Sequence, residues 1–251
     1  MSVLIKTENL RKSFVIGKTS IDILNGIDLT IEKGEFVSIM GQSGSGKSTL
    51  LYLLGALDKP TSGMIYVNDH DISKMSDKRA SKFHRREVGF VFQFYNLVPN
   101  LSAEDNILLP AMLDHRKKSS CKERLELLLD AVDLIDRRKY TPRQLSGGQQ
   151  QRVAIARALI MDPDIVLADE PVGNLDSKAG QDVMKLLKDI SQKYNKTIVQ
   201  VTHSTEYAKY GTRVINIKDG LIIPGEISDN KKIIRIKNRG RLINHENENR
   251  S

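Results

Sequence analysis

The segment Gly41-Gln42-Ser43-Gly44-Ser45-Gly46-Lys47-Ser48-Thr49 constrains the fold more than any other part of this chain. It fits the phosphate-binding P-loop pattern, in which a glycine-rich loop joins a buried strand to a helix. An apolar run at 35–40 precedes the loop, and a leucine-rich stretch at 47–57 follows it. The sequence therefore predicts strand, loop and helix in the order that a P-loop requires.

Glycines in such a loop let the backbone wrap closely around phosphate oxygens, with successive N–H groups turned inward. The lysine then reaches the β- and γ-phosphates, and the hydroxyl after it binds Mg²⁺. We assign these two roles to Lys47 and Ser48. The predicted phosphate-binding residues are Gly41, Ser43, Gly44, Ser45, Gly46, Lys47, Ser48 and Thr49.

The later part of the chain alternates short buried strands with helices. Two short apolar runs, 165–168 and Thr197–Val201, flank Ser177–Tyr194, which carries apolar residues at helical spacing. A final hairpin across 213–223 turns at Asp219-Gly220. Alternating strands and helices predict an α/β fold with a parallel sheet and helices on its faces.

Two regions differ from this alternation. Residues 102–159 are rich in leucine and poor in β-branched runs, which predicts a helical lobe inserted into the α/β core. After residue 225 the sequence becomes polar and basic, which is typical of a mobile tail, although a strand at 232–236 remains an alternative. Such a tail is either solvated or in contact with anionic lipid headgroups.

Two acidic residues follow the strand at 165–168. Asp169 and Glu170 should therefore lie at the carboxyl edge of the sheet, where the P-loop also lies. Asp169 can hold Mg²⁺ through water, and Glu170 can orient or deprotonate the water that attacks a phosphate. We expect hydrolysis rather than binding alone, the alternative role of the pair being a cap for the next segment.

A second glycine-rich helix start, Leu145-Ser146-Gly147-Gly148-Gln149, offers another set of unpaired backbone N–H groups. With Ser146 as its cap this segment can hold an anion, or it is an ordinary capped helix. One nucleotide needs only one such cradle, so the two segments have to be explained together.

In their order and spacing, these motifs resemble those of the ATP-binding subunits of ABC transporters, and the resemblance covers about residues 3–225. It implies a RecA-like P-loop NTPase core, an N-terminal antiparallel β part and an all-α subdomain inserted at about 94–156. It also implies a nucleotide-binding domain at 1–225 and a basic tail at 226–251. In that family the signature of one subunit closes over ATP held by the other subunit's P-loop, so two copies sandwich two ATP molecules.

The resemblance adds roles for single residues. Gln93 matches the glutamine that senses Mg²⁺ and the γ-phosphate, His203 matches the switch histidine, and Phe14 matches the aromatic that stacks on adenine. The implied catalytic residues are Glu170, His203 and Gln93, and the implied metal ligands are Ser48, Gln93 and Asp169. The remaining implied ATP contacts are Ser146, Gly147, Gly148, Gln149 and Asp176, the last in the loop Asn174-Leu175-Asp176.

Within the family, Phe90-Val91-Phe92-Gln93 and the residues after it are similar to one branch. That branch contains macrolide exporters, lipoprotein-release ATPases, antimicrobial-peptide resistance transporters and the cell-division ATPase FtsE. Three residues depart from its pattern: Val172 stands where Thr is usual, Gln200 lies in a strand that is usually apolar, and Ser204 replaces Asp. None of them removes a phosphate-contacting group, so we expect ATPase activity.

Composition limits the location of the chain. Its apolar runs are well short of the roughly 20 residues that span a bilayer, and its start shows no signal-peptide pattern. We therefore expect no membrane segment and a peripheral position at the cytoplasmic face of the membrane. The single cysteine, Cys121, excludes an internal disulfide, and its charged neighbours predict an exposed loop.

We predict an ATPase subunit that binds ATP and Mg²⁺, pairs with a second copy and drives a separate integral membrane permease, for export or extraction. An antimicrobial, a peptide or a lipoprotein are examples of such cargo. The alternative is an FtsE-like, ATP-switched regulator that acts mechanically on a membrane partner without passing a solute. The residues after Gln93 should receive the permease's cytoplasmic helix or else pack the helical lobe; they are Phe94, Tyr95, Leu97, Val98 and Leu101.

The net charge of +8 leaves a nucleic-acid partner to be considered. Repair ATPases of this family separate P-loop and signature by a long coiled coil, but Lys47 and Ser146 are only 99 residues apart. Ribosomal members carry two P-loops, and this chain has one. A GTPase is disfavoured because Asn195-Lys196-Thr197 lacks the aspartate that reads guanine. We therefore expect no nucleic-acid partner.

Overall fold

The computed structural model describes residues 2–223 and contains two sheets. The strands are β1 (Val3–Ile16), β2 (Thr19–Glu32), β3 (Phe36–Met40), β4 (Ser62–Val67), β5 (His70–Asp71), β6 (Val88–Phe92), β7 (Ile165–Asp169), β8 (Thr197–Val201), β9 (Arg213–Lys218) and β10 (Leu221–Ile222). The helices are α1 (Lys47–Leu54), α2 (Asp77–Arg86), α3 (Ala103–Leu113), α4 (Lys122–Ala131), α5 (Gly147–Leu159), α6 (Ser177–Tyr194) and α7 (Thr205–Ala208).

The central sheet has six strands in the order β10-β9-β3-β8-β7-β6. All neighbours are parallel except β9 and β10, which form an antiparallel hairpin. The middle strands β3, β7 and β8 are almost completely buried, because helices cover both faces of the sheet. Since these strands are parallel, the loops after β3, β7 and β8 meet at one edge of the sheet.

The second sheet is antiparallel, in the order β2-β1-β4-β5. Its long strands β1 and β2 pair along most of their length, with register shifts that bend the ribbon. The backbone N–H of Asn25 on β2 donates to the carbonyl of Gly220 at 2.9 Å, which ties this sheet to the hairpin at the edge of the central one.

The helices α3, α4 and α5 form a lobe whose apolar side chains continue into one face of the central sheet. A second core, between the other face and the antiparallel sheet, contains α1. The α/β architecture predicted from the sequence, with a parallel centre, an N-terminal antiparallel part and inserted helices, is confirmed. Among residues 2–223, no helix has both the length and the apolarity that crossing a bilayer requires.

Two local expectations were wrong. Helix α1 ends at Leu54 instead of residue 57, because the backbone leaves the helical conformation there: Gly55 is the C-cap, and Ala56 has φ +53°. Cys121 is buried instead of exposed: 5% of its surface is accessible, and it packs in the core of the helical lobe. Its charged neighbours point outward from a 3₁₀ turn while Cys121 faces inward. The predicted tail at 226–251 lies outside the described residues.

Candidate nucleotide-binding site

The P-loop joins β3 to α1 through a backbone that only glycine can follow at one position. Gly46 has φ +97°, and a Cβ there would sit 2.7 Å from Leu24 Cδ2 and 2.9 Å from the carbonyl oxygen of Ile23. Helix α1 starts at Lys47 without a side-chain cap. Its first N–H groups are therefore available to an anion, which the positive end of the helix also attracts.

The loop contains two buried polar groups. Lys47 is only 7% exposed, and its ammonium donates to the carbonyl oxygen of Gln42 at 2.7 Å. The buried hydroxyl of Ser45 has no hydrogen-bond partner among the described residues. A buried cation favours an anionic ligand, whereas the Ser45 hydroxyl lies against Gly41, where an added Cβ would be 2.7 Å from it.

The loop, Glu170 and His203 line one cleft with a volume of about 450 Å³. Its lining residues are Ile23, Ser43, Gly44, Gly46, Lys47, Ser48, Thr49, Glu170 and His203. The structure thus brings the ends of three parallel strands together; the sequence predicted this for the P-loop and Glu170, and the family resemblance added His203.

Two hydroxyls bind the carboxylate of Asp169 at the end of β7. Ser48 donates to Oδ1 at 2.9 Å, and Tyr52 donates to Oδ2 at 2.7 Å. A hydroxyl and a carboxylate are oxygen ligands of the kind that Mg²⁺ prefers. In the described part of the chain no cluster of three or more His, Cys, Asp or Glu could hold a metal alone, and Mg²⁺ in phosphate sites typically uses only one or two protein carboxylates. The Ser48–Asp169 pair fits that ion.

Tyr52 was not among the site residues predicted from the sequence. Burial, followed by the hydrogen bond to Asp169 and the charge of Asp169, raises the pKa of Tyr52 to about 12. The phenol therefore stays protonated at neutral pH and acts as a donor. Tyr52 lies four residues after Ser48 in α1, so helical spacing places both on one face and is the signal that could have found it.

Glu170 Oε2 lies 2.8 Å from Nδ1 of His203. Glu170 has φ +45°, a conformation that is uncommon outside glycine and that is found at functional sites. Its backbone N–H donates to the carbonyl of Val201 at 3.0 Å. The ends of β7 and β8 thus hold an acid and a histidine in contact at the mouth of the cleft.

Gln200, which departs from the expected apolar strand, is fully buried in β8. Its amide nitrogen donates to Ser38 Oγ at 2.8 Å and to the carbonyl of Tyr207 at 2.9 Å. Ser204, the second departure, caps α7 by accepting from the backbone N–H of Tyr207. Both residues therefore fix the short helix that follows His203.

Gln93 leaves β6 beside the loop after β7 and contacts that loop directly. Its Nε2 donates to Asn174 Oδ1 at 3.2 Å, and Asn174 Nδ2 donates back to the Gln93 carbonyl at 3.0 Å. Gly173 leaves room for this contact, since a Cβ there would lie 2.8 Å from Gln93 Nε2. Asp176 ends the same loop and caps α6 by accepting from the N–H of Ala179 at 2.9 Å.

The signature starts α5 with a reciprocal cap. Ser146 Oγ accepts from the N–H of Gln149, and Gln149 Oε1 accepts from the N–H of Ser146 at 3.0 Å. Ser146, Gly148 and Gln149 line a separate cleft of about 710 Å³ in the described part of the chain. The structure therefore does not bring the signature to the P-loop cleft of the same chain.

Gln151 is a second residue that the sequence analysis missed. It is fully buried, and its Nε2 donates to the carbonyl of Pro171 at 2.6 Å and to that of Phe92 at 3.4 Å. It thus ties the signature helix to the residue before Gln93 and to the residue after Glu170. No local pattern marks it, because its partners are backbone atoms 20 or more residues away.

Phe14 lies on β1, and 42% of its surface is exposed. The ammonium of Lys12 lies 4.7 Å from the centre of its ring. Phe14 is not among the described residues that line the P-loop cleft, but its ring is accessible to a ligand.

Comparisons with known proteins agree with this geometry. The family model described as ABC transporter matches residues 24–173. An uncharacterized ABC transporter ATP-binding protein of Methanocaldococcus jannaschii, MJ0796, is 46% identical over 221 residues, which are 86% of this chain and 94% of that protein. In a solved dimeric structure, described as a post-hydrolysis state bound to ADP and Pi, MJ0796 matches with a TM-score of 0.80 at 43% identity, covering 87% of this chain and 96% of that one.

Two named relatives belong to the branch indicated by the sequence. The lipoprotein-releasing system ATP-binding protein LolD of Cytophaga hutchinsonii is 47% identical over 204 residues, 81% of this chain and 93% of that protein. The macrolide export ATP-binding/permease protein MacB of Chlorobaculum tepidum is 44% identical over 220 residues, 88% of this chain and 34% of that protein.

Proposed function

Because the chain belongs to the ABC transporter family as an ATP-binding, ATP-hydrolysing subunit, we propose that its hydrolysis of ATP drives a separate membrane permease. Two copies close around two ATP molecules. The nucleotide-binding domain comprises residues 1–225, with the helical subdomain at about 94–156, and residues 226–251 form a basic tail. The subunit sits at the cytoplasmic face of the membrane through its permease.

The separation of the two phosphate-binding segments carries this proposal. The buried Lys47 lines the P-loop cleft, while the signature helix opens into another cleft of the chain. A second copy, facing the first, would place its signature over the nucleotide that the first copy holds. The dimeric solved structure of MJ0796 supports this arrangement by similarity.

The residues that line the cleft, together with Gln93 and Asp169 outside its lining, have separate chemical roles. Lys47 and the open start of α1 bind phosphate, Ser48, Gln93 and Asp169 would hold Mg²⁺, and that ion would neutralise phosphate charge. Glu170 orients or deprotonates the attacking water, and His203, bound to Glu170, contacts the γ-phosphate.

The proposed ATP contacts outside the cleft also have separate roles. Phe14 stacks on adenine, Asp176 contacts the nucleotide, and the signature residues of the partner bind the γ-phosphate from the far side.

A third cleft, lined by Phe92 and Asn96 on either side of Gln93 in the sequence, is the proposed contact with the permease. It has a volume of about 290 Å³ and combines apolar side chains with His84, Arg85 and Arg157. Arg157 donates to the carbonyls of Tyr95 and Asn96, which shapes the loop after Gln93.

Of the residues expected to receive a cytoplasmic helix, Phe94 is 73% exposed and Val98 is also exposed, whereas Tyr95, Leu97 and Leu101 are half-buried. Leu97 packs against the helical lobe. Phe94 and Val98 are therefore the better candidates for the contact.

Complementation between two inactive variants tests whether each ATP site is formed by two copies of the chain. Lys47→Ala removes the phosphate-binding lysine, and Ser146→Asp keeps a good helix cap but places a negative charge against the phosphate. A mixture of the two variants forms dimers in which one of the two sites is intact. We expect the mixture to hydrolyse ATP although neither variant does so alone; activity no greater than the sum of the two would contradict a shared site.

Trapping of an ATP-bound dimer provides an independent test of dimerisation. Glu170→Gln should form a dimer with ATP and remain monomeric without it, as measured by light scattering at micromolar protein. Glu206→Gln, the same change on the exposed surface of α7, is the matched control and should show no trapped dimer. A Glu170→Gln chain that stays monomeric with ATP would count against the sandwich.

Co-purification of an integral membrane protein with this chain, from membranes of the cells that make it, tests the permease. We expect Phe94→Glu to abolish co-purification while leaving ATP-driven dimerisation intact. Transport of a solute by the reconstituted complex would separate a transporter from the FtsE-like mechanical regulator, which would hydrolyse ATP without moving a solute. Export or extraction is favoured by the similarity to LolD and MacB.

A further inference from the structure

Asp169 is held from both sides. Its Oδ1 accepts from Ser48 Oγ at 2.9 Å, and its Oδ2 accepts from Tyr52 Oη at 2.7 Å. A single donor leaves a carboxylate free to rotate about its last bond, but two donors on different oxygens fix its plane. The carboxylate therefore has a defined orientation before any ligand arrives.

Tyr52 differs from Ser48 in what it can do at this site. The hydroxyl of Ser48 is needed at the metal, so its bond to Asp169 has to adapt when an ion binds. The hydroxyl of Tyr52 reaches the opposite carboxylate oxygen, and its bond can persist. Ser48 and Tyr52 occupy one face of α1, which begins at the P-loop, so the same helix that presents N–H groups to phosphate also carries both donors.

We propose that Tyr52 is a positioning residue for the Mg²⁺ site, and that its hydroxyl holds Asp169 Oδ2 so that Oδ1 faces Ser48 and the water shell of the ion. This inference rests on the proposed role of Asp169 as a metal ligand. It concerns binding of the ion rather than binding of the nucleotide itself, since Tyr52 is not among the described residues that line the P-loop cleft.

The loss of the Tyr52 hydroxyl has two opposing effects. A carboxylate that accepts fewer hydrogen bonds keeps more negative charge on its oxygens, which strengthens its attraction to a cation. Without the Tyr52 hydroxyl, however, the carboxylate of Asp169 also loses its fixed orientation. Tyr52 and Asp169 are both half-buried, so a water can replace the missing donor and offset the change in charge. Water does not restore the orientation, and the orientation effect therefore decides the result.

The test measures binding of a fluorescent ATP analogue while Mg²⁺ is titrated, in the Glu170→Gln background so that hydrolysis does not interfere. We expect Tyr52→Phe to raise the Mg²⁺ concentration at half-saturation by about 10- to 100-fold, the range that loss of a hydrogen-bond partner of a metal ligand typically costs. Affinity for the analogue in EDTA should stay unchanged. Equal weakening with and without Mg²⁺ would show a merely structural role and would overturn the proposal, as would an unchanged Mg²⁺ titration.

Two further variants complete the test. Tyr66→Phe is the matched control, because the Tyr66 hydroxyl donates to Met64 Sδ within strand β4 of the antiparallel sheet, and its Mg²⁺ titration should equal that of the parent. Asp169→Ala should weaken Mg²⁺ binding by itself, and adding Tyr52→Phe to it should have no further effect. If Asp169→Ala leaves the Mg²⁺ titration unchanged, the proposed metal site fails; if the two changes are additive, only the role of Tyr52 fails.

Discussion

Glu170 and His203 are bound to each other, with 2.8 Å between Oε2 and Nδ1. The bond joins the residues that follow two neighbouring parallel strands, β7 and β8. It orients the carboxylate at the mouth of the P-loop cleft and fixes which ring nitrogen of His203 remains available there. The acid and the histidine therefore act as one unit.

His203→Ala should lower the rate of ATP hydrolysis by roughly 100-fold, within the range that general acid–base groups contribute. The rate of ATP hydrolysis is measured as phosphate release at saturating ATP. Because the two residues act together, adding His203→Ala to Glu170→Gln should reduce the rate little further. A double variant as slow as the product of the two separate effects would contradict a joint role.

Asn174→Ala should weaken the response to ATP without unfolding the protein. It removes both hydrogen bonds between Gln93 and the loop after β7, so Gln93 loses its fixed position. We expect the ATP concentration that half-saturates dimerisation in the Glu170→Gln background to rise by about 5-fold or more, the loss of two modest hydrogen bonds. Asn100→Ala, at an exposed position, is the control and should leave that concentration unchanged.

Gln151→Ala should reduce the free energy of unfolding by about 2 kcal/mol, because it leaves the buried carbonyl of Pro171 without its donor. Urea unfolding followed by circular dichroism measures the change. Gln192→Ala, on the exposed face of α6, should change the free energy by less than about 0.5 kcal/mol. Equal stability of the two variants would show that the Gln151 contact adds nothing.

Stability should depend on pH through Asp114, which joins α2 to the end of α3. The hydrogen bond from Arg86, followed by its charge and by Arg116 and Arg85, holds the pKa of Asp114 below its ordinary value of 3.8. A lowered pKa in the folded state contributes stability that is present above that ordinary value and is lost as the pH falls through the folded value.

Melting temperatures of the parent and Asp114→Asn should therefore differ at pH 6 and approach each other only as the pH falls from 3.8 through the lower folded value. Asp69→Asn, at an exposed position, should follow the parent throughout. A difference between parent and Asp114→Asn that persists at low pH would assign the effect to packing rather than to charge.

Much of the fold could be predicted because the informative features are local. The strand at 165–168, the helix Ser177–Tyr194 and the Asp219-Gly220 turn are each specified by neighbouring residues, and the structure reproduces them. Strand order then places Glu170 and His203 at one edge. The contact between Gln93 and Asn174 spans 81 residues and follows from no periodicity.

Cys121 shows how local reasoning fails. The charged neighbours of Cys121 lie on the exposed side of the 3₁₀ turn. The cysteine itself points inward because of the packing of α3 and α4, which the local sequence does not specify. Gln151 fails for a related reason: a polar residue inside a helix is ordinarily placed on the surface, but here backbone carbonyls of two other segments accept from it.

The position of Cys121 has a practical consequence. It is the only thiol in the chain, and reagents can reach it only when the helices around it separate. Its rate of alkylation therefore reports opening of the helical lobe, without any engineered label. A cysteine introduced on the surface, for instance in place of Phe94, will react first and alone, so the native sequence is already a suitable background for site-specific labelling.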